Sequence, residues 1–406
     1  MRKILPLCVL SMFQFLSLHA ASNLPSWGFF GHRLINKMAI FTLPEELFGF
    51  YKQNLDYITE HAVDPDKRRY ASRFEAVRHY IDLDVWHNDS TAQLPNDFQE
   101  TLIRHAKYTL ICDRDSIAVQ MYIQSDSIYF SPQLKFDCTF AASFDSFLAY
   151  WKQVVAPMYY DDEWAISGAD LDDFFLLDCF GKSNVKLLIQ DQFSQHGILP
   201  YFLQTMQGKI THAFHTKDVK AIIRLSAEIG HYLGDAHVPL HTTENYNGQK
   251  TGQTGIHAFW ETRIPELFAD DEYEFHLESA TYIRNKADYF WKIVLHSHSL
   301  VEELLRTEKH LSGKLRPDKQ YCYEARMGRI ERMQSPEFAR ALSDALNGTI
   351  EEQMRSAAQA LGDCIYTAWV DAGQPVIDGK IEAQISDSET NPKPEERVGV
   401  RPHEND

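Results

Sequence analysis

The stretch "GHYLGDAHVPLHTTENYNGQKTGQTGIHAFWETR", residues 230–263, holds five side chains that could grip one metal centre. His231 and Asp235 stand four apart, so on a helix both project from one face. Ile222, Leu225, Ile229 and Leu233 would cover the opposite, buried side. Pro239 should end that helix and leave His241 in the following turn. After a loop rich in Gly, Thr and Asn, His257 and Glu261 repeat the same four-residue spacing on a second predicted helix. A single His/Asp pair of this kind is usually a surface ion pair. Two of them, with a further imidazole between, within about 31 residues point to a metal site, and nitrogen and carboxylate donors without thiolates suit zinc or another first-row metal. His212, His215, His237, His296 and His298 read as helix-surface or supporting residues rather than ligands.

Two earlier segments add to this set. "AVDPDKRRYASRFEAVRHYIDLD", residues 62–84, carries Asp64 in a Pro-containing loop and His79 on the helical segment after it. Alone, Asp64 would read as a turn cap and His79 as a buried helix residue. "SWGFFGHRLIN", residues 26–36, places Trp27 and His32 just behind a secretory signal peptide. The signal is read from Arg2 and Lys3, the apolar run "ILPLCVLSMFQFLSL" and the small-residue segment "HAASNLPS". Cleavage after Ser26 would make Trp27 the new N-terminus; cleavage after Ala20 or Ala21 would leave a short extension. Export would end in the periplasm or outside the cell.

The order Trp27, His32, Asp64, His79, His231, Asp235, His241, His257, Glu261 resembles the zinc-dependent phospholipase C and single-strand-specific (S-one/P-one type) nuclease superfamily. "HYLGDAHVPLH" and "GIHAFWE" carry the core of the likeness. The resemblance implies a largely helical domain with three zinc ions. Asp64, His79, His231 and Asp235 would hold the first ion, and His241, His257 and Glu261 the second. The third would take the amino and carbonyl groups of Trp27, the His32 ring and Asp235 as a bridge. A free α-amine of ordinary pKa is available for this at modest cost. The implied chemistry is metal-assisted hydrolysis of a phosphate ester, with Asp64 and Asp235 at the catalytic centre. Lys67 stands three residues past Asp64, where the nuclease branch carries an arginine near the phosphate; lysine keeps the charge but not the fork. Tyr80 and Asp82 resemble the nuclease positions that stack on a base and hydrogen-bond its edge. The short Trp27-to-His32 spacing looks like the nuclease branch, whereas Glu261 looks like the phospholipase branch. The expected activity is therefore that of a secreted phosphodiesterase, an endonuclease on single-stranded DNA or RNA with 3′-nucleotidase activity on nucleotides. The alternatives are a zinc-dependent phospholipase C acting on phospholipid and a non-catalytic zinc-binding protein. No obligate protein partner is inferred.

The elements that must position these residues follow from periodicity. "FEAVRHYIDLD", "VKAIIRLSAEIGHYLGDAH", "ATYIRNKADYFWKIVLHSHSLVEELL" and "TIEEQMRSAAQALGDCIYTAWVDAG" repeat apolar residues every three or four positions. Residues about 110–195 break that pattern. There "SIAVQMYIQSDSIYF" alternates like a strand pair, while "YYDDEWAISGADLDDF" is acidic and loop-like. The fold expected is mainly α: a multi-helix domain over residues 27–375 with an irregular, partly β insertion at 110–195. Residues 1–26 are the signal, and the polar tail 376–406 is read as disordered. The chain is 44% hydrophobic, which suits a globular domain, and its net charge of −17 argues against a protein that coats duplex DNA. Removing the signal leaves Cys112, Cys138, Cys179, Cys322 and Cys364. That odd number permits one disulfide in the insertion but gives no cysteine-based zinc motif.

Overall fold

A computed structural model describes residues 29–86, 94–112, 115–133, 139–161, 163–172, 185–326 and 328–381. Residues 1–28, with the expected signal peptide and Trp27, and residues 382–406 lie outside the described residues. The chain is mainly helical, and it also contains a six-stranded antiparallel sheet.

At the centre lies the helix Val219–Ala236. The Asp218 carboxylate caps it by accepting from the Ala221 N–H at 3.0 Å. From Leu225 onward every residue of this helix is buried. Phe29–Ala39, Leu199–Thr216 and the 23-residue helix Thr349–Asp371 pack around it. The predicted helix through "ATYIRN" begins only at Lys286, where Asn285 caps the turn, and it is split at Leu300 into Lys286–Ser299 and Val301–Lys314. The predicted helix over "FEAVRHYIDLD" is cut into two short turns, Arg73–Ala76 and Val77–His79, before Tyr80 goes extended.

The Phe29–Ala39 helix crosses the central one closely enough that a Cβ on Gly234 would lie 2.6 Å from His32 Nδ1. One turn back, a Cβ on Gly230 would collide with the Asn36 side chain. Asn36 in turn donates to the carbonyls of Ile58 and Ala227, at 3.1 and 3.0 Å. The two glycines thus let His32 reach the same depth as His231.

The insertion is more regular than its sequence suggests. Strands β1 (Lys107–Cys112), β2 (Asp115–Gln124), β3 (Ser127–Pro132), β4 (Phe140–Ser143), β5 (Trp164–Ser167) and β6 (Val185–Gln190) run in the order β4-β3-β2-β1-β6-β5. The expected strand pair is β2–β3, turning at Ser125 with φ 54°. The stretch expected to be an acidic loop contributes β5 and the short helix Gly168–Asp172. Its apolar residues, Trp164 and Ile166, face the buried side with Leu110, Phe130 and Leu187, and Phe147 and Trp151 lie in the same core. A second sheet, the hairpin β7 (Tyr321–Arg326) and β8 (Arg329–Gln334), carries no signal that the periodicity reading detected.

Residues 376–381, read as the start of the tail, lie against the domain. Asn54 donates to the Gly379 carbonyl at 3.1 Å and accepts from the Ile381 N–H at 2.9 Å. Among the described residues no helix is long and apolar enough to cross a membrane.

Candidate metal centre

His231 and Asp235 emerge from the buried half of the central helix and meet side chains from four other segments. Asp235 sits in the middle. Its Oδ2 lies 2.9 Å from His79 Nδ1 and 3.3 Å from His231 Nε2. Its Oδ1 lies 3.6 Å from His32 Nε2 and 3.7 Å from His241 Nδ1. A carboxylate flanked by imidazoles on both oxygens is placed to bridge two cations.

His241 is held by the turn that Pro239 begins, Pro239–Thr242, and its Nδ1–H donates to the His79 carbonyl at 2.5 Å. That bond fixes the tautomer and leaves Nε2 as the free lone pair, 3.5 Å from Glu261 Oε2. His298 supports the same turn through the Thr242 carbonyl, at 3.0 Å. Gly255, at φ +95°, turns the chain into the His257 segment. Glu261 then falls within a π-helical turn, Phe259–Arg263, which places its Oε2 2.8 Å from His257 Nε2 and its Oε1 3.3 Å from His32 Nε2. Such turns are frequent at functional sites because the extra residue re-aims a side chain.

Asp64 is not among the side chains gathered here. It pairs at the surface with His61 Nδ1 at 2.5 Å and Lys67 Nζ at 2.8 Å, and these contacts with burial as the opposing influence hold its carboxyl below the usual range. Asp66 turns inward instead. Its Oδ1 is 3.8 Å from His79 Nδ1 and 3.5 Å from His231 Nε2. The sequence "DPD" offers two carboxylates two residues apart, and each has a basic partner three positions on, Lys67 for Asp64 and Arg69 for Asp66, so spacing alone does not separate them.

Among the described residues three groups of side chains could each hold an ion: Asp66, His79 and His231; His32, His231 and Asp235; His241, His257 and Glu261. The first group, completed by Asp235, tests the fit. Four ligands of a tetrahedral zinc at about 2.0–2.1 Å stand about 3.3–3.4 Å from one another. Five of the six separations among these donor atoms are 2.9, 3.1, 3.3, 3.5 and 3.8 Å, spread about that value. His241 Nε2, which faces Glu261 Oε2 across the cluster at 3.5 Å, is buried with no hydrogen-bond partner. Protein contacts alone therefore leave this cluster poorly satisfied, which is costly unless the inward atoms bind something strongly.

The electrostatics agree. Burial pushes His79 down to about 4, so it stands neutral with a lone pair to give. Burial would also depress His231, but Asp235 and Asp66 outweigh it and lift its pKa to about 10. Burial alone would raise Asp235 and Glu261, yet the imidazoles around them hold both well below the ordinary carboxylate range.

Around this cluster lie groups that sequence reasoning passed over. Arg69 is 4% exposed and its Nη1 is 3.9 Å from Asp66 Oδ1, while Nε and Nη1 have no hydrogen-bond partner. Tyr232 packs its ring on His79 and His231 and donates its hydroxyl to Glu75 Oε1 at 2.8 Å. Tyr80 and Asp82, the expected base-binding groups, are both buried in the metal-free chain. Tyr80 is 5% exposed with its hydroxyl donating to the Gln195 carbonyl, and buried Asp82 lies 3.6 Å from His196 Nδ1. His212, His215 and His296 are exposed, and His237 is buried with its Nδ1–H donating to the Leu233 carbonyl.

Compared with protein-family models and with curated proteins, the chain matches none.

Proposed function

We propose that this chain is a zinc-dependent phosphoesterase that hydrolyses phosphodiester bonds in single-stranded nucleic acid. The observation that carries the reading is the buried convergence of five histidines with Asp66, Asp235 and Glu261, with a buried guanidinium, Arg69, at its edge, 3.9 Å from Asp66. Buried charges are retained when they are paired or coordinate metal, and this set has the donor types of a zinc site.

Zinc bound here would supply a Lewis acid and a water acidic enough to give hydroxide near neutral pH. The protein's part is positional. Asp235 would join two ions through its two oxygens. His79, His231 and Asp66 would close one position, and His241, His257 and Glu261 another. His32 and, in the processed chain, Trp27 would complete a third. Tyr232 and Glu75 hold the His79 and His231 rings in place. Arg69 suits a phosphate oxygen, because a guanidinium offers two parallel N–H donors and keeps its charge when buried.

Arg69 also favours the nuclease branch of the resemblance. The nuclease branch has an arginine three residues past its aspartate ligand. Counted from Asp64 that position is Lys67; counted from Asp66, the carboxylate that faces the cluster, it is Arg69. Export, expected from the signal, would bring the enzyme to nucleic acid outside the cytoplasm.

The test is digestion of single-stranded DNA by the processed, zinc-loaded protein, with and without a chelator. Chelator-sensitive cleavage is expected. Intact DNA beside hydrolysed phosphatidylcholine would replace the nuclease with a phospholipase C.

A further inference from the structure

In a chain of net charge −17, the segment "KRRYASRFEAVR", residues 67–78, carries five basic residues and one acid. It ends beside the cluster, since Arg78 immediately precedes His79. Its cations join others from neighbouring helices. Arg78 lies over the Phe202 ring, 4.5 Å from its centroid, with the Lys209 ammonium 5.7 Å from the same centroid. Arg224 lies on the central helix seven residues before His231, about 10 Å along its axis.

The charges are layered. Glu75 and Glu228 are nearly covered, their side chains 8% and 10% exposed, and Arg68 bonds to both. Arg73, Lys209 and Arg224 stand above them, exposed. Acids below and bases outward give a surface that is positive to an approaching ligand. Burial and then the nearby Arg78 and Arg224 lower the Lys209 pKa, as crowded cations require.

Aromatic rings are set into the same surface. The Arg73 guanidinium lies over Phe74, 4.8 Å from its centroid, and Phe74 meets the Tyr160 ring edge-on at 5.0 Å. Tyr160 comes from the insertion, is 63% exposed and lies 3.4 Å from Arg78 Nη2. Just beyond it the sign of the charge changes, with Asp161 and Glu163 both exposed, which bounds the patch.

We propose that this patch is where a single nucleic-acid strand runs as it leaves the metal centre, its phosphates against Arg73, Arg78, Lys209 and Arg224 and a base on Tyr160. The proposal rests on the nuclease reading above. A polyanion that also offers flat rings suits alternating cations and exposed aromatics, and such binding tolerates any sequence. It gives the insertion a role: Tyr160 extends the substrate surface beyond the metals.

The experiment measures binding of the zinc-loaded protein to a fluorescent oligothymidylate of about 15 nucleotides with phosphorothioate linkages, near the site size of such grooves. The variants are Arg73→Glu/Lys209→Glu and Tyr160→Ala, with turnover of bis(p-nitrophenyl) phosphate as the control. The double variant should raise Kd at least about tenfold at low salt and flatten the salt dependence, since about two phosphate contacts are lost. Tyr160→Ala should raise it about fivefold or more. Small-diester turnover should stay within about twofold, because neither variant touches the metal cluster. Unchanged Kd values, in a wild-type protein that cleaves single-stranded DNA, would overturn the patch and leave the nuclease reading standing. Wild-type protein that hydrolyses the small diester but neither binds nor cleaves DNA would overturn the nuclease reading itself. Loss of binding to anionic phosphatidylglycerol vesicles, with oligothymidylate binding unchanged, would reassign the patch to lipid.

Discussion

Asp64 and Asp66 are separated by one proline and end in opposite environments. Asp64 keeps about a third of its side chain in water and pairs with His61 and Lys67, whereas Asp66 is 7% exposed and faces two buried imidazoles. Spacing named the residue types needed but could not say which carboxylate would turn inward, because that depends on the turn Asp64–Lys67 and on what lies beneath it. The pairs His231/Asp235 and His257/Glu261 were legible because a helical turn fixes which way both members point. Arg69→Ala should lower kcat/KM for single-stranded DNA by about 10²-fold, the scale of losing a preorganised donor to a developing charge. Arg69→Lys should recover only part of it, and steady-state kinetics on both variants checks this. The pH behaviour follows from His231. Its pKa in the metal-free folded chain lies near 10, above the ordinary 6.5. A raised pKa stabilises the folded state fully below about 6.5, and that contribution is lost as pH rises through about 10. Zinc takes the place of this proton, so the loaded form lacks the dependence. Melting temperatures from pH 6 to 10 should therefore fall more steeply in chelator than in zinc.

The elements that bring the ligands together are mostly ones the periodicity could identify. Val219–Ala236 and Thr349–Asp371 follow their apolar patterns almost to the residue. The strands β1, β4, β5 and β6 were less visible, since each is only four to six residues long and owes its existence to pairing across the sheet. The π-helical turn at Glu261 has no sequence pattern of its own. Helix packing carries one expected outcome. Gly234→Ala puts a methyl against His32, and overpacking of this kind costs about 1–3 kcal/mol. The variant should lose stability in chelator and zinc alike, and it should also bind zinc more weakly because His32 is displaced. Calorimetric titration with zinc checks the second effect. A loss of stability with unchanged zinc affinity would mean that His32 is not a ligand.

At the scale of the whole molecule, a mainly helical body carries the cluster and an antiparallel sheet stands beside it. The sequence showed that a partly β insertion existed but not that it formed one six-stranded sheet, because four of the six strands alternate too briefly to register. The cluster also ties the fold together, since its ligands come from the first helix, the 64–79 segment, the central helix and the 239–261 stretch. Ions that bind the folded state and not the unfolded one add stability in proportion to the logarithm of their concentration over Kd. Chelation should therefore lower the melting temperature by several degrees or more, and added zinc should restore it. A melting temperature indifferent to chelator would mean that the buried charges are satisfied without metal.

On the proposed reading Asp66, with His79, His231 and Asp235, would hold a zinc ion. It is tested most directly by the zinc content of three purified proteins: the wild type, Asp66→Asn and Asp64→Asn. Asp66→Asn should retain one ion fewer than the wild type, and Asp64→Asn the full complement. Loss of the ion from Asp64→Asn alone, or a wild-type protein that carries no zinc, would contradict it.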